Sequence, residues 1–371
     1  MYDIAVVGIG PAGANFLRLV DTERYSVAAI DKKAMDGSGG YRKPCGGLLA
    51  PDAQRALAKL NLSLPGDVIA SPQIFYVKTI DLDSEITKNY QRFYINIDRQ
   101  KFDVWMMSMI PQSVDVFERA MVRSIREEDG VYRIEVCRGG EVQVIEAKHV
   151  IGADGANGIV SRCFFGKTER NLRLSVQEWY EMSNREPVFS CVFDSENCDS
   201  YSWFLSKNRS FVFGGAYEID GASQSFANLK EKLEGHGICL DSPVRREACL
   251  VYRLRTPSDF CVGGGSVLMI GEAAGFVSPS SYEGISGALD SSCLLSEVFN
   301  DSDEDVLRRY RRTTRGMRRK YTVKIVKSRI LNNNLLRKLI MKSGVQSLEI
   351  AKQRETGGSS EGLADLTLYN K

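Results

Sequence analysis

A chain of 371 residues with 43% hydrophobic and 26% charged residues has the make-up of a globular protein with a sizeable core, either one large α/β assembly or two to three domains. The formal net charge of +2 gives no whole-chain reason to expect nucleic acid as a partner. Only two histidines, His149 and His236, are present; this argues against a histidine-built metal site and a Ser-His-Asp or Cys-His centre, and points to cofactor chemistry.

The apolar run at 4–8 predicts a buried strand, 11–20 a helix and 26–31 a second strand, so a βαβ unit opens the chain. A glycine-rich loop at 37–47 precedes a helix at 51–60, which has Asp52 near its N-terminus. Strand-like sequence follows at 71–97, a helix at 102–109, a hairpin of 131–137 with 141–147, and a short strand at 150–152. A second β-rich stretch covers 172–254, after which strand 267–271 and helix 285–299 return to the α/β style. The expected fold class is therefore α/β (α+β). A Rossmann-type domain from 1–70, 98–170 and 255–300 is interleaved with a mostly antiparallel sheet domain from 71–97 and 171–254. Basic helices (301–350) and a polar tail (351–371) follow.

Nine cysteines occur without a C-x-x-C pair, and no basic leader precedes the first strand; reduced thiols in a cytoplasmic protein are expected. His149 is read as a surface or hairpin residue and His236, between Gly235 and Gly237, as a turn residue.

Gly8-Ile9-Gly10-Pro11-Ala12-Gly13 is a G-x-G-x-x-G directly after a strand and opening a helix. Gly8 permits the turn, Gly10 lets backbone approach a pyrophosphate, and Gly13 lets helix and strand pack closely. The helix N-terminus then receives the phosphate. Asp31, eighteen residues beyond Gly13, is positioned for ribose hydroxyls. This pattern alone serves FAD and NAD equally.

Two further segments join it: Gly152-Ala153-Asp154-Gly155, continuing to Arg162, and Gly271-Glu272-Ala273-Ala274-Gly275, continuing through Tyr282-Glu283-Gly284-Ile285. In this order the three resemble the p-hydroxybenzoate hydroxylase-like flavoprotein fold, and within it the geranylgeranyl reductase family. The resemblance implies FAD, with Asp154 and Gly155 along the pyrophosphate groove and Glu272 near the ribityl and phosphate region. Gly284 and Ile285 open a helix toward the flavin pyrimidine edge, where a helix N-terminus stabilises negative charge. Glu272 stands where the family has Asp. Arg42-Lys43-Pro44-Cys45-Gly46-Gly47 is similar to the family's K-P-C-G-G loop near the flavin, so Cys45 and Gly46 join the cofactor set. Arg99, in Asp98-Arg99-Gln100-Lys101-Phe102-Asp103, matches its R-x-x-F-D helix start, and Val122 is aligned with a backbone contact to adenine. Tyr201-Ser202-Trp203-Phe204-Leu205-Ser206-Lys207 resembles a Y-x-W-x-F-P-K segment beside the lipid pocket, with Ser206 in place of proline.

The implied activity is reduction of a carbon–carbon double bond in a hydrophobic, isoprenoid-like substrate. An external reductant, NAD(P)H or a small electron carrier, is implied with it. Cys45 and Tyr282 are the candidate proton donors, alongside water; a small residue fitting under the ring is the other reading of Cys45. The rivals are a flavin-dependent monooxygenase acting on an aromatic or polyketide and a non-catalytic flavin-binding redox sensor.

Between Glu304 and Lys342 fourteen Arg or Lys face two acids. Met317, Tyr321, Ile325, Leu331, Leu335 and Leu339 form an apolar stripe within this segment. It is expected to face the core; the sharper alternative is peripheral contact with an anionic membrane.

Overall fold

The computed structural model describes residues 1–38, 43–166, 171–181, 187–238 and 240–349. The first half contains β1 (Tyr2–Val7), α1 (Pro11–Leu19), β2 (Val27–Ile30), β3 (Leu48–Leu49), α2 (Pro51–Lys59), β4 (Ile74–Asp81), β5 (Ile86–Asn96), α3 (Arg99–Ser108), β6 (Asp115–Phe117), β7 (Ala120–Glu128), β8 (Val131–Arg138) and β9 (Glu141–Gly152). The second half continues with α4 (Ile159–Phe165), β10 (Leu172–Glu181), β11 (Val188–Phe193), β12 (Ser202–Lys207), β13 (Ser210–Tyr217), α5 (Ala222–Glu234), β14 (Arg245–Tyr252), β15 (Gly263–Gly264) and β16 (Val267–Met269). Helices α6 (Ile285–Asp301), α7 (Val306–Thr313), α8 (Arg315–Leu331) and α9 (Asn334–Ser343) and strand β17 (Ser347–Leu348) complete it.

The first sheet has the order β15-β16-β9-β1-β2-β6, with β8 and β7 added through β9. Strand β1 is parallel to β2 on one side and to β9 on the other. The chain thus leaves β1 through α1 toward β2 while β9 occupies the opposite flank. The C-terminal end of β1 is therefore a switch point, where α/β sheets open a ligand crevice. Residues 150–152 are not a separate strand. They continue β9, whose first part pairs with β8 and whose last part pairs with β1 and β16. Helices α1 and α6 meet over this sheet, where the buried Asn15 amide donates to Ser292 Oγ at 2.8 Å.

The second sheet has the order β14-β10-β13-β12-β11-β4-β5-β17, with β3 paired to β5. Its pairings are antiparallel except for β4 with β11. The stretch 172–254 is not purely β. Helix α5 interrupts it, and Phe226, Leu229 and Leu233 are buried against the sheet. Phe226 stacks on Phe213 with ring centroids 5.1 Å apart. Those three residues have helical spacing, so the signal for α5 was present in the sequence. Tyr94, Phe189, Phe193, Tyr201 and Leu205 form a separate apolar cluster on this sheet, with Trp203 and Leu331 packed against it.

Helices α7 and α8 pack against the core of the first sheet, whereas α9 lies on the second, where Arg337 meets Asp81. Tyr310 on α7 donates to the Met269 carbonyl at 3.2 Å, and α8 buries Met317, Tyr321 and Ile325. The stripe does not continue inward beyond α8. A turn at Asn332 and Asn333 starts a new helix with a different rotation, leaving Leu335 67% and Leu339 56% exposed. Half-buried His149 lies just past the part of β9 that pairs with β8 in the hairpin. It lies on β9 opposite Ile4 and edge-on to Phe299, and burial pushes its imidazole pKa down. His236 follows α5 in a turn, its Nδ1 2.8 Å from the Lys232 carbonyl. Among the described residues no helix is long and apolar enough to cross a membrane.

Candidate functional site

The site begins at the end of β1. Gly8 has φ +97°, and a Cβ there would lie 2.6 Å from the Ala153 carbonyl oxygen. A Cβ on Gly13 would lie 2.0 Å from the Gly8 carbonyl oxygen. Both glycines are fixed by packing of the chain on itself. Gly10 differs, because no described residue lies within 4 Å of where its Cβ would be. The fold does not need glycine at 10; an approaching ligand would. Ala12 packs below this loop, where a Cβ on Gly271 would be only 2.8 Å from the Ala12 methyl. Asp31 Oδ2 accepts from Ile9 N at 2.5 Å and Oδ1 from Lys33 N at 2.8 Å, so the carboxylate ties the glycine loop to the end of β2.

The other two motifs reach the same crevice. Asp154 Oδ2 accepts from Val160 N at 3.0 Å, at the start of α4. A Cβ on Gly158 would fall 2.0 Å from Asp154 Oδ1, so that carboxylate has an architectural duty in its own loop. Gly155, at φ +80°, faces Glu272, whose Oε2 would lie 3.8 Å from a Cβ there. Glu272 Oε1 accepts from Tyr252 N at 3.0 Å, and Oε2 pairs with the Lys43 ammonium. Burial alone would lower the Lys43 pKa, but the facing Glu272 charge raises it and keeps the ammonium protonated. Gly284 is the N-cap of α6 and Ile285 its first residue. No side chain caps this end, so first-turn N–H groups and the positive end of the helix dipole remain available to an anion.

Cys45 lies where this frame meets the second sheet. Its sulfur accepts from Gly47 N at 3.4 Å and from the Arg99 side chain. Arg99 is held by Asp103, with Nε to Oδ1 at 2.9 Å, and Asp98 caps the start of α3 by accepting from Gln100 N and Lys101 N. Gly46 presses on the sheet, since a Cβ there would be 3.2 Å from Leu205 Cδ2 and 3.9 Å from Trp203 Nε1. Lys33, Gly37, Lys43, Arg99 and Asp103 line a narrow cleft beside the loop. A more open concavity of about 520 Å³ lies elsewhere, between His149, Asp303 and Arg311, and contains none of the motif residues.

Sequence reasoning overlooked two groups. Lys207, the last residue of β12, is buried, and its Nζ donates to the carbonyls of Ile97 and Gly47 (3.3 Å) and to Asn96 Oδ1 (2.7 Å). With no acid in contact among the described residues, burial lowers its pKa to about 8, opposed in smaller measure by the nearby Cys45 and Asp98. Glu283, beside Gly284, accepts from Tyr94 OH at 2.9 Å and pairs with Arg92 at 3.3 Å. Its partners are more than 180 residues away in sequence, so no local pattern announced them. Tyr201 OH donates to the Ser281 carbonyl at 3.2 Å.

Cys45, Gly46 and Arg99 are thus brought together. Tyr282 faces another neighbourhood: at φ +52° its hydroxyl makes no hydrogen bond among the described residues, and it is shielded near Arg253 and Asp199. Burial raises its pKa. Val122 sits on β7 opposite Val136, beside a bulge, and its side chain packs on the first-sheet core. Arg42 lies outside the described residues.

No family model matches the chain. Protein CbrA of Escherichia coli O6:H1 (strain CFT073) is 44% identical over 355 residues, which cover 96% of this chain and 97% of the relative. The chain belongs to the CbrA family. CbrA of Shigella sonnei (strain Ss046) is likewise 44% identical, over 93% of this chain and 97% of its own. Among solved structures, a geranylgeranyl bacteriochlorophyll reductase-like protein from Thermoplasma acidophilum superposes with TM-score 0.75 at 17% identity, covering 91% of this chain and 90% of its own. PqsL, a probable FAD-dependent monooxygenase from Pseudomonas aeruginosa, gives TM-score 0.66 at 14% identity, covering 92% and 98%. This member of the CbrA family therefore has the FAD-binding flavoprotein fold. The open face at Gly10, the Asp31 anchor and the uncapped start of α6 fit that cofactor.

Proposed function

We propose that this CbrA-family protein is an FAD-dependent oxidoreductase that reduces a carbon–carbon double bond in a hydrophobic, isoprenoid-like substrate. The observation that carries this reading is the lining of the junction between the halves. Trp203 and Leu205 meet Gly46, Tyr201 and Tyr94 reach Ser281 and Glu283, and Cys45 stands between Arg99 and Lys207. That is an apolar wall over a cationic, thiol-bearing loop.

When bound, FAD would supply two-electron hydride chemistry. The chain's part is to bind and orient. Gly10 would admit the pyrophosphate to the N-terminus of α1, and the Asp31 anchor would set the ribose end. The start of α6 would face the flavin ring with its N–H groups. Lys43 and Glu272 bridge the crevice from opposite motifs and would fix its width. The apolar wall would exclude water from the reacting carbons. Saturating a double bond needs one hydride and one proton, and Cys45 is the favoured proton donor, since its thiol stands at the junction beside the Arg99 side chain and the Gly47 N–H. Tyr282 is disfavoured by its separate surroundings and raised pKa. NAD(P)H or a small electron carrier would act as the external reductant.

A monooxygenase is the second reading, favoured by the extent of the likeness to PqsL. Oxygen dependence separates the two. Purified protein should carry FAD, and under anaerobic conditions a chemically reduced sample should saturate a polyprenyl lipid, read by a mass gain of two hydrogens. Turnover that stops without dioxygen and adds one oxygen to the product would establish the monooxygenase instead. Cys45→Ser should slow the reductive reaction at least tenfold with FAD content unchanged; unaltered turnover would remove Cys45 as the donor.

A further inference from the structure

Helix α9 is turned inside out relative to an ordinary surface helix. The side it packs inward carries Arg337, only 3% exposed, together with Met341. Arg337 pairs with Asp81 at 2.9 Å and Asp83 at 2.6 Å, donates to the Leu331 carbonyl at 3.0 Å, and lies over the Phe193 ring at 4.8 Å. These contacts pin the rotation of the helix. The outer side consequently presents Leu335, Leu336, Leu339 and Ile340, which are 67, 43, 56 and 43% exposed. Immediately before it, α8 shows Val323, Val326 and Ile330 on the side away from Met317, Tyr321 and Ile325. Seven exposed aliphatics within eighteen residues exceed the scatter of single apolar side chains normal on a surface.

The charges around them decide the occupant. Arg319, Lys327, Lys338 and Lys342 make no ion pair among the described residues, whereas Lys320 and Lys324 are engaged by Asp52. The segment from Glu304 to Lys342 carries fourteen basic residues against two acids. A second copy docked face to face would set like charges against each other. A protein interface of ordinary anatomy would also centre on aromatic anchors, and the outer face of α9 has only Leu and Ile. Aliphatic side chains flanked by unpaired Lys and Arg match acyl chains under anionic headgroups.

We propose that the outer face of α9, with the adjoining face of α8, docks this protein on an anionic lipid bilayer. The docking does not depend on which reaction the flavin performs. The test uses full-length, FAD-loaded protein and sedimentation with sucrose-filled vesicles. Wild type should pellet with vesicles of phosphatidylcholine and phosphatidylglycerol at 3:1, not with pure phosphatidylcholine, and should be released at high salt. L335S/L339S should weaken binding at least tenfold while keeping the wild-type urea midpoint and FAD content, because both side chains are already in water. K338E/K342E should remove the preference for the anionic vesicles. Failure of wild type to pellet at low salt would overturn the proposal, as would undiminished binding by L335S/L339S. A wild-type dimer in light scattering that L335S/L339S converts to monomer would overturn it in favour of a second copy.

Discussion

Two lysines hold the 43–47 loop from opposite sides, and their surroundings differ. Lys43 reaches from the start of the loop into the cofactor half and meets an acid, Glu272. Lys207 reaches from the second sheet to the end of the loop and, among the described residues, meets only carbonyl and amide oxygens. Both lose hydration, but only Lys43 recovers it through a countercharge, so its pKa rises while that of Lys207 falls to about 8. Burial fixes neither sign by itself; the partner does. On the cofactor side the loop is held by a permanent ion pair. On the sheet side it is held by a lysine that can lose its proton near the upper end of the physiological range.

The largest effect should come from the cofactor half. Gly13→Ala forces a Cβ to within 2.0 Å of the Gly8 carbonyl oxygen and should destabilise the fold by about 3 kcal/mol. Gly10→Ala meets no atom of the described residues and should leave the urea midpoint unchanged while weakening FAD binding at least tenfold by fluorescence titration. Equal effects of the two changes would dissolve the distinction between packing and ligand glycines.

Next, Glu272→Gln strands the Lys43 ammonium and should cost about 2 kcal/mol, less than for a wholly buried pair because Lys43 keeps some exposure. A double-mutant cycle with Lys43→Met should then give a coupling of about 1 kcal/mol or more. No coupling would mean that the two ends of the loop are held alike.

Lys207 offers a test by pH. Its folded pKa lies below its unfolded value of 10.5, so between about 8 and 10.5 the unfolded chain binds more protons. Wild type should therefore gain stability relative to Lys207→Met as pH rises through that window, with the penalty fully present below 8. A difference that stays flat from pH 7 to 10.5 would show that Lys207 remains charged throughout.

The smallest effect belongs to Asp52, which anchors α8 through Lys324 and Lys320. Burial opposes ionisation there, but the two lysines prevail and hold its pKa at about 2. The resulting stability is present above the ordinary carboxylate pKa and is lost as pH falls through about 2. Asp52→Asn should cost about 1 kcal/mol at pH 7, after allowance for solvent screening, and almost nothing at pH 2.

Much of the cofactor half was legible because its signals are local. The turn at Gly8, the close approach at Gly13 and the acid at Asp31 all act within one βαβ unit, so spacing along the chain is spacing in the site. The second half was legible as β structure, but not as a wall. Lys207 reaches Ile97 across 110 residues and Tyr94 reaches Glu283 across 189, and neither pairing leaves a periodicity. The basic stripe is the instructive failure. Four-residue spacing in Met317, Tyr321 and Ile325 and again in Leu331, Leu335 and Leu339 reads as one stripe, whereas the turn at Asn332 and Asn333 resets the rotation and Arg337 claims the inward side of α9. By itself the sequence determined the βαβ unit, the order of the three glycine motifs and the excess of cations near the C-terminus, since each is written in neighbouring residues. Only the tertiary structure decided which lysine has an acid, which carboxylates are already engaged and which leucines face water, because those outcomes depend on partners that folding brings from far along the chain.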